Sequence, residues 1–140
     1  MRRTPPATRR SGCPLNAALE MVGDRWSLLV VRDMMLRGAS HYADFLNGHE
    51  RIATNILADR LRKLAQIGII SAARDTQDRR KRIYRLTKKG IALAPVLVEM
   101  VLWAASHEAT GNQPLVRSMR DKKSFLTAIR ARWQDTLQAL

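Results

Sequence analysis

Residues 52–86 constrain this chain more than any other stretch. Leu57, Leu61 and Leu64 recur at helical spacing, which predicts a helix from about 53 to 67 with those leucines on its buried side. The opposite side shows Thr54, Asn55, Ala58, Asp59 and Arg62. Gly68 stops the helix and Ile69-Ile70 opens a strand candidate, 69–74, whose return strand is 82–86. The turn Thr76-Gln77-Asp78-Arg79 lacks the Asn-Gly of a tight hairpin, so a looser tip is expected. Between 74 and 89, eight Lys and Arg stand against Asp75 and Asp78. A helix with a polar face followed by a basic hairpin is what a winged helix needs to grip DNA.

The flanks supply the rest of such a domain. Residues 1–12 are rich in Arg, Pro and Ser, including Arg2, Arg3, Arg9 and Arg10, and are read as a disordered basic arm. Pro14 suits a first helical turn, Leu15, Leu19 and Val22 form a stripe, and Gly23 ends it. Asp24 is placed to cap a second helix bearing Trp26, Leu29, Val30 and Met34, which Gly38 breaks. Ser40 is the expected N-cap of a short helix holding Tyr42, Phe45 and Leu46. Thr87 is expected to cap a long helix running to about Glu108, with Pro95 kinking or breaking it. Gly111-Asn112-Gln113-Pro114 marks a boundary, and Leu126, Ile129, Trp133, Leu137 and Leu140 predict one more helix. The expected organisation is an arm (1–12), a mainly α domain with a small β-hairpin (13–108), and a C-terminal helical extension (109–140).

Charge narrows the partners. The 140 residues carry 25 Lys and Arg against 12 Asp and Glu, a net +13 that suits a polyanion. No apolar run approaches the roughly 20 residues that span a bilayer, and no apolar block follows the N-terminal arginines as in a secretory signal; no membrane partner is expected. The single cysteine, Cys13, excludes an internal disulfide and fits a reducing cytosol. His41, His49 and His107 show no metal-ligand spacing, and no phosphate loop or nucleophile elbow is present, so neither an enzyme nor a cofactor is expected.

The order of these elements resembles the HxlR family of bacterial winged-helix transcription regulators, relatives of the MarR group. Cys13-Pro14 looks like the family's Cys-Pro start, and Gly23-Asp24-Arg25-Trp26 resembles its Gly-x-[Lys/Arg]-Trp signature. Leu57, Leu61, Arg62, Leu64, Gly68 and Ile69 sit where the family has its recognition helix and the glycine after it. Tyr84-Arg85-Leu86-Thr87-x-x-Gly90 looks like the wing-to-helix motif, and Pro95 and Trp103 match the long dimer helix. The likeness covers roughly 13–107. Ala53 stands where Ser commonly caps the recognition helix, the cap then passing to Thr54, and Arg51 stands where Gly is usual.

The resemblance implies a winged helix-turn-helix, dimerising through N-terminal and C-terminal helices. Leu15, Leu19, Leu97, Met100 and Trp103 are the interface candidates, with intramolecular core as the plain alternative. Thr54, Asn55, Ala58, Asp59 and Arg62 are the candidates for the major groove, where base edges carry a distinct code. Arg79, Arg80, Lys81 and Arg82, with Arg51 beside the helix, are expected on phosphates or in the minor groove. The partner is then an operator in double-stranded DNA, read in the bacterial cytosol, with repression the family habit; a non-specific nucleoid-type binder is the alternative. Arg32 and Arg37 suit either backbone contact or a solubilising surface. Some members of the family use a cysteine at the Cys13 position to sense electrophiles or oxidants, and the dipole of a helix N-terminus together with Arg9 and Arg10 favours a thiolate there. A small-molecule effector in a cavity bordered by Trp26, Met34, Trp103 or Trp133 is the other sensing route.

Overall fold

The computed structural model describes residues 10–138. Arg2, Arg3 and Arg9 of the expected arm lie outside the described residues, as do Leu140 and the side chain of Leu137. The order is α1 (Pro14–Val22), α2 (Ser27–Arg37), α3 (Tyr42–Leu46), α4 (Thr54–Gln66), β1 (Ile70–Arg74), β2 (Arg82–Leu86), α5 (Lys88–Ile91), α6 (Ala94–His107), α7 (Gln113–Arg120), α8 (Lys122–Arg132) and α9 (Gln134–Gln138). This is the mainly helical winged-helix architecture that the sequence predicts.

The core forms where α2, α4, the hairpin and the α5–α6 segment meet. Val31, Met34 and Met35 of α2 pack with Leu57, Leu61 and Leu64 of α4, closed by Ile69, Ile70, Leu86 and Ile91. Burying each such side chain stabilises the fold by about 1.5–3 kcal/mol. The strands pair antiparallel with Ile70 opposite Leu86 and Arg74 opposite Arg82. Tyr84 N–H also donates to Ser40 O at 2.7 Å, tying the hairpin to the segment before α3.

The wing-to-helix motif has a clear physical basis. Thr87 Oγ1 bonds the carbonyls of Gly68 (2.5 Å) and Ile69 (3.0 Å) and accepts from Gly90 N–H at 3.2 Å. A Cβ on Gly90 would stand 2.2 Å from Ile69 O, so only glycine permits this approach.

Several expectations need correction. His41 rather than Ser40 is the N-cap of α3, because Asp44 reaches back to accept from both amides, at 2.9 and 3.0 Å. The break expected at Pro95 is present: the helix is interrupted between Ile91 and Ala94, and Pro95 lies in the first turn of α6, where its missing N–H costs nothing. The tail is three helices, the first starting at Gln113, inside the expected boundary. The stretch Lys88–His107, 20 residues with mean hydropathy 1.5, is long and apolar enough to cross a membrane, contrary to the sequence expectation. Its apolarity has a local use: Ile91, Ala94, Leu97 and Val98 are buried in the protein.

The tail folds back onto the domain. Ile129 joins the core, Phe125, Leu126 and Trp133 pack against it, and Arg132 Nη1 donates to the carbonyls of Met35 (3.4 Å) and Leu36 (3.3 Å). A cation there complements the negative end of α2. Lys122 Nζ pairs with Glu99 at 2.5 Å, fixing the start of α8 to α6.

Candidate nucleic-acid interface

The α4 helix begins at Thr54 after an extended Ala53 that supplies no side-chain cap, so the cap does not pass to Thr54. The first amides of α4 are therefore left without a side-chain acceptor, and the positive end of the helix dipole is open to an anion. Tyr42 Oη donates to Thr54 O at 2.7 Å and steadies this end. Thr54, Asn55, Ala58 and Arg62 are exposed along one side, with Asp59 half-buried between them. Asp59 is bracketed by Arg62 Nη2 at 2.6 Å and Arg60 Nη1 at 3.1 Å, an arrangement that aims Arg62 along the helix surface.

Arg60 does more than flank Asp59. Its Nε lies 2.9 Å from Asp24 Oδ2, and Lys63 Nζ lies 3.7 Å from Asp24 Oδ1. Asp24 also accepts from the amides of Trp26 and Ser27 and from the Ser27 hydroxyl. Burial acts to raise the Asp24 carboxyl pKa, but the Ser27 and Trp26 hydrogen bonds and the Arg60 charge outweigh it and hold the group below its ordinary value. Trp26 rather than Asp24 is the N-cap of α2, but Asp24 binds the amides at the start of that helix and also mounts α4. The second role was not legible, because Asp24 and Arg60 are far apart in sequence.

Arg51, in the turn leading to α4, is exposed and has φ 51°, the left-handed region. It is the position where the resemblance expects glycine. Beside it, Glu50 takes a bidentate grip from Arg32 at 2.7 and 2.9 Å, and the Arg32 hydrogen bonds pull the Glu50 pKa down to about 2. Arg32 also bonds Asp33, and Arg37 Nη1 lies 3.3 Å from Asp33. Both arginines proposed for the DNA backbone are thus engaged within the protein.

The wing tip, residues 75–81, is the loose loop expected from its sequence. Its two acids organise it. Asp75 Oδ1 accepts from Gln77 N–H at 2.8 Å, and Asp78 Oδ1 accepts from Arg80 N–H at 3.1 Å. These amide and side-chain bonds hold both carboxyls below their usual range, for Asp75 led by Gln77 N–H and for Asp78 by the Arg80 side chain. Arg79, Arg80, Lys81 and Arg82 are exposed, Arg80 steered by Asp78 at 3.1 Å. His41 Nε2 lies 2.8 Å from Asp75 Oδ2 and Nδ1 lies 3.0 Å from Ser40 Oγ, linking α3 to the base of the tip. Among the described residues no cluster of His, Cys, Asp and Glu could hold a metal ion.

The other candidates sort by exposure. Leu15 is 68% exposed, Leu19 59%, Met100 52% and Trp103 67%, whereas Leu97 is 8% exposed and belongs to the protomer's own core. Val96, 43% exposed, was missed; it precedes Met100 by four residues and Trp103 by seven, a helical stripe. Cys13 is exposed at the N-cap of α1. Of the supposed effector-site residues, Met34 is fully buried, Trp133 packs on the core, and Trp26 borders a cavity of about 20 Å3, room for about one water. Trp103 stacks on His107 at 5.3 Å.

Comparison with known proteins agrees with this geometry. The HxlR-like helix-turn-helix family profile matches residues 21–111. The chain is 32% identical over 93 residues to the HTH-type transcriptional regulator YodB of Bacillus subtilis, covering 66% of this chain and 82% of YodB. It is 32% identical over 95 residues to the uncharacterized HTH-type transcriptional regulator Rv3095 of Mycobacterium tuberculosis, spanning 59% of that protein's length. The structure of PA1607, a candidate transcription factor, superposes with TM-score 0.67 at 34% identity over 75% of this chain and 72% of that one. Reduced YodB superposes with TM-score 0.58 at 30% identity, covering 71% of this chain and 98% of YodB. YodB structures also exist in diamide-treated and quinone-bound forms.

Proposed function

The chain belongs to the HxlR-like helix-turn-helix family, DNA-binding transcriptional regulators rather than enzymes, and we propose that it acts as a homodimeric repressor reading an operator through α4. Thr54, Asn55, Ala58, Asp59 and Arg62 face the major groove, with Asn55 suited to adenine and Arg62 to guanine. Arg51 and the open amides at the start of α4 take phosphates, and Arg79, Arg80, Lys81 and Arg82 take phosphates or enter the minor groove. The observation that carries this reading is the pairing of an exposed polar helix face, uncapped at its N-terminus, with a wing whose acids are spent on its own fold. Two exposed apolar stripes, Leu15–Leu19 on α1 and Val96–Met100–Trp103 on α6, are the surfaces for a second copy.

The same reading gives Cys13 a role. It is exposed, stands at the start of a helix that carries the Leu15–Leu19 stripe, and is the chain's only thiol. An electrophile adduct on the Cys13 sulfur, or a disulfide to the second copy's Cys13 formed as a two-electron oxidant such as diamide takes up both thiol hydrogens, would act at the dimer surface and release DNA. The existence of diamide-treated and quinone-bound forms of the relative YodB supports this reading.

Fluorescence anisotropy with the DNA upstream of this protein's own gene, against a scrambled duplex, tests the proposal. Asn55→Ala and Arg62→Ala each remove about 1–3 kcal/mol of discrimination. Arg80→Ala weakens all duplexes alike. Binding of equal strength to every duplex would favour a nucleoid-type protein, and no binding at low salt would overturn DNA recognition by this surface. Treatment with a quinone releases the wild type and spares Cys13→Ser; equal responses sink the thiol role.

A further inference from the structure

We propose that the groove between the α5–α6 junction and α8 binds a small amphipathic anion, a carboxylate with a short aliphatic body. The groove measures about 240 Å3 and lies among Ile91, Ala94, Pro95 and Leu126, with Ala92 at its surface. Ile91 and Ala94 are buried and Leu126 is half-buried, so the lining is apolar in depth. Among the described residues its only charged members are Lys88, at the start of α5, and Arg130, one turn beyond Leu126 on α8, and no acidic side chain lines it.

Two cations border this one apolar groove, and their surroundings differ from those of the arginines that the fold holds in ion pairs. Arg32, Arg37, Arg60, Arg62 and Arg80 each have a carboxylate within 4.0 Å. Among the described residues Lys88 and Arg130 have none, and the Glu99 carboxylate on α6 is taken by Lys122. An anion in the groove would meet both charges, and an aliphatic body would cover the apolar floor.

The break between α5 and α6 makes the concavity, with small Ala92 and Ala94 lining it, and α8 supplies the opposite wall. The family match ends at residue 111, so the site is composite: one wall from the shared domain and one from the tail. Its size sets the ligand. At roughly 30 Å3 per water-sized unit, such a groove holds about eight non-hydrogen atoms, the size of a six-carbon carboxylate. The site lies where the segment leaving the wing meets the tail, and its assignment does not depend on the operator reading.

Titrating the 15N-labelled full chain with hexanoate, and separately with hexanamide, tests this by NMR. Hexanoate should give saturable amide shifts confined to residues 88–95 and 122–130. Hexanamide, matched in shape but uncharged, should bind at least about tenfold more weakly. Lys88→Gln and Arg130→Gln should each weaken hexanoate by about two- to fivefold, as exposed ion pairs do, and by about tenfold together. Ala92→Trp, which fills the groove from an exposed position, should abolish binding, while Arg117→Gln should leave it unchanged. Amide dispersion reports that each variant is folded. Equal affinity for hexanoate and hexanamide, unchanged affinity in both charge variants, or shifts that never saturate would overturn the proposal.

Discussion

Replacing Arg51 with glycine should make this protein more stable and a weaker DNA binder at once. Arg51 has φ 51°, and its N–H makes only a long bond, 3.4 Å, to Gly48 O. A side chain held in the left-handed region costs about 1–2 kcal/mol, which glycine does not incur. Glycine in turn loses about 0.5–1 kcal/mol more backbone entropy on folding. The difference leaves Arg51→Gly stabilised by about 0.5–1 kcal/mol, a rise of about 2–4 °C in Tm for a chain of this size. Arg51→Ala keeps the strain and loses the charge, so it should melt close to the wild type. On DNA the two variants should behave alike: each loses one phosphate cation, and the slope of log K against log salt should shrink by about 0.9. Thermal melts and anisotropy at four salt concentrations, on all three proteins, read both effects. If Arg51→Gly melts no higher than Arg51→Ala, the left-handed turn stores no strain. If the salt slope does not move, Arg51 touches no phosphate.

Three further outcomes follow from single contacts. Ala53 already has extended N-cap dihedrals without a capping oxygen, so Ala53→Ser should stabilise the chain by about 0.5–1 kcal/mol in a thermal melt; no gain would mean that the cap geometry is not met. The Glu50 pKa is depressed to about 2 from 4.5, so the Arg32–Glu50 pair contributes fully above pH 4.5 and is lost as pH falls toward 2. Allowing for solvent screening that contribution is about 1–2 kcal/mol, and the gap in Tm between wild type and Glu50→Gln should hold above about pH 4.5 and narrow as pH falls from there toward 2; a constant gap would refute it. Trp103→Ala should weaken self-association by about 2 kcal/mol, near thirtyfold in Kd by sedimentation, and an unchanged Kd would remove α6 from the interface.

Much of the fold was legible because its signals are local. The Leu57–Leu61–Leu64 spacing, Gly68, the two short apolar strands and the Thr87–Gly90 cap each act within a few residues, and the structure uses them as read. What escaped was decided by distance in sequence or by competition between neighbours. Leu97, Met100 and Trp103 form one apolar stretch by composition, but packing against the rest of the chain takes Leu97 inward and leaves the other two outside. Arg32 and Arg37 look like free surface cations until Glu50 and Asp33 are brought beside them. Ser40 lost the cap of α3 to His41 because Asp44 serves both amides from within the helix. The polar face of α4 was visible from periodicity alone, whereas its mounting on Asp24 needed the tertiary fold.

That mounting offers a route from Cys13 to the recognition helix. The nine residues of α1 span about 13 Å, and only Gly23 separates its end from Asp24. A rigid-body shift of α1, imposed by a group on Cys13 or by a new bond to a second copy, therefore reaches the one carboxylate that grips both Arg60 and Lys63 of α4. The alternative is that the signal changes only the spacing of two copies and leaves each α4 firmly seated. Asp24→Asn separates them. The amide oxygen still accepts from Ser27 and Trp26, so α2 begins as before, but the charge pairs to α4 are gone. Partly exposed pairs of this kind contribute about 0.2–1 kcal/mol each, so DNA affinity should fall about two- to fivefold without a change in base preference. If the strain travels through Asp24, modifying Cys13 in that variant should release DNA by a smaller factor than in the wild type, since the coupling between the two sites has been cut. An equal factor in both proteins would place the signal in the spacing of the copies and leave Asp24 a purely structural anchor.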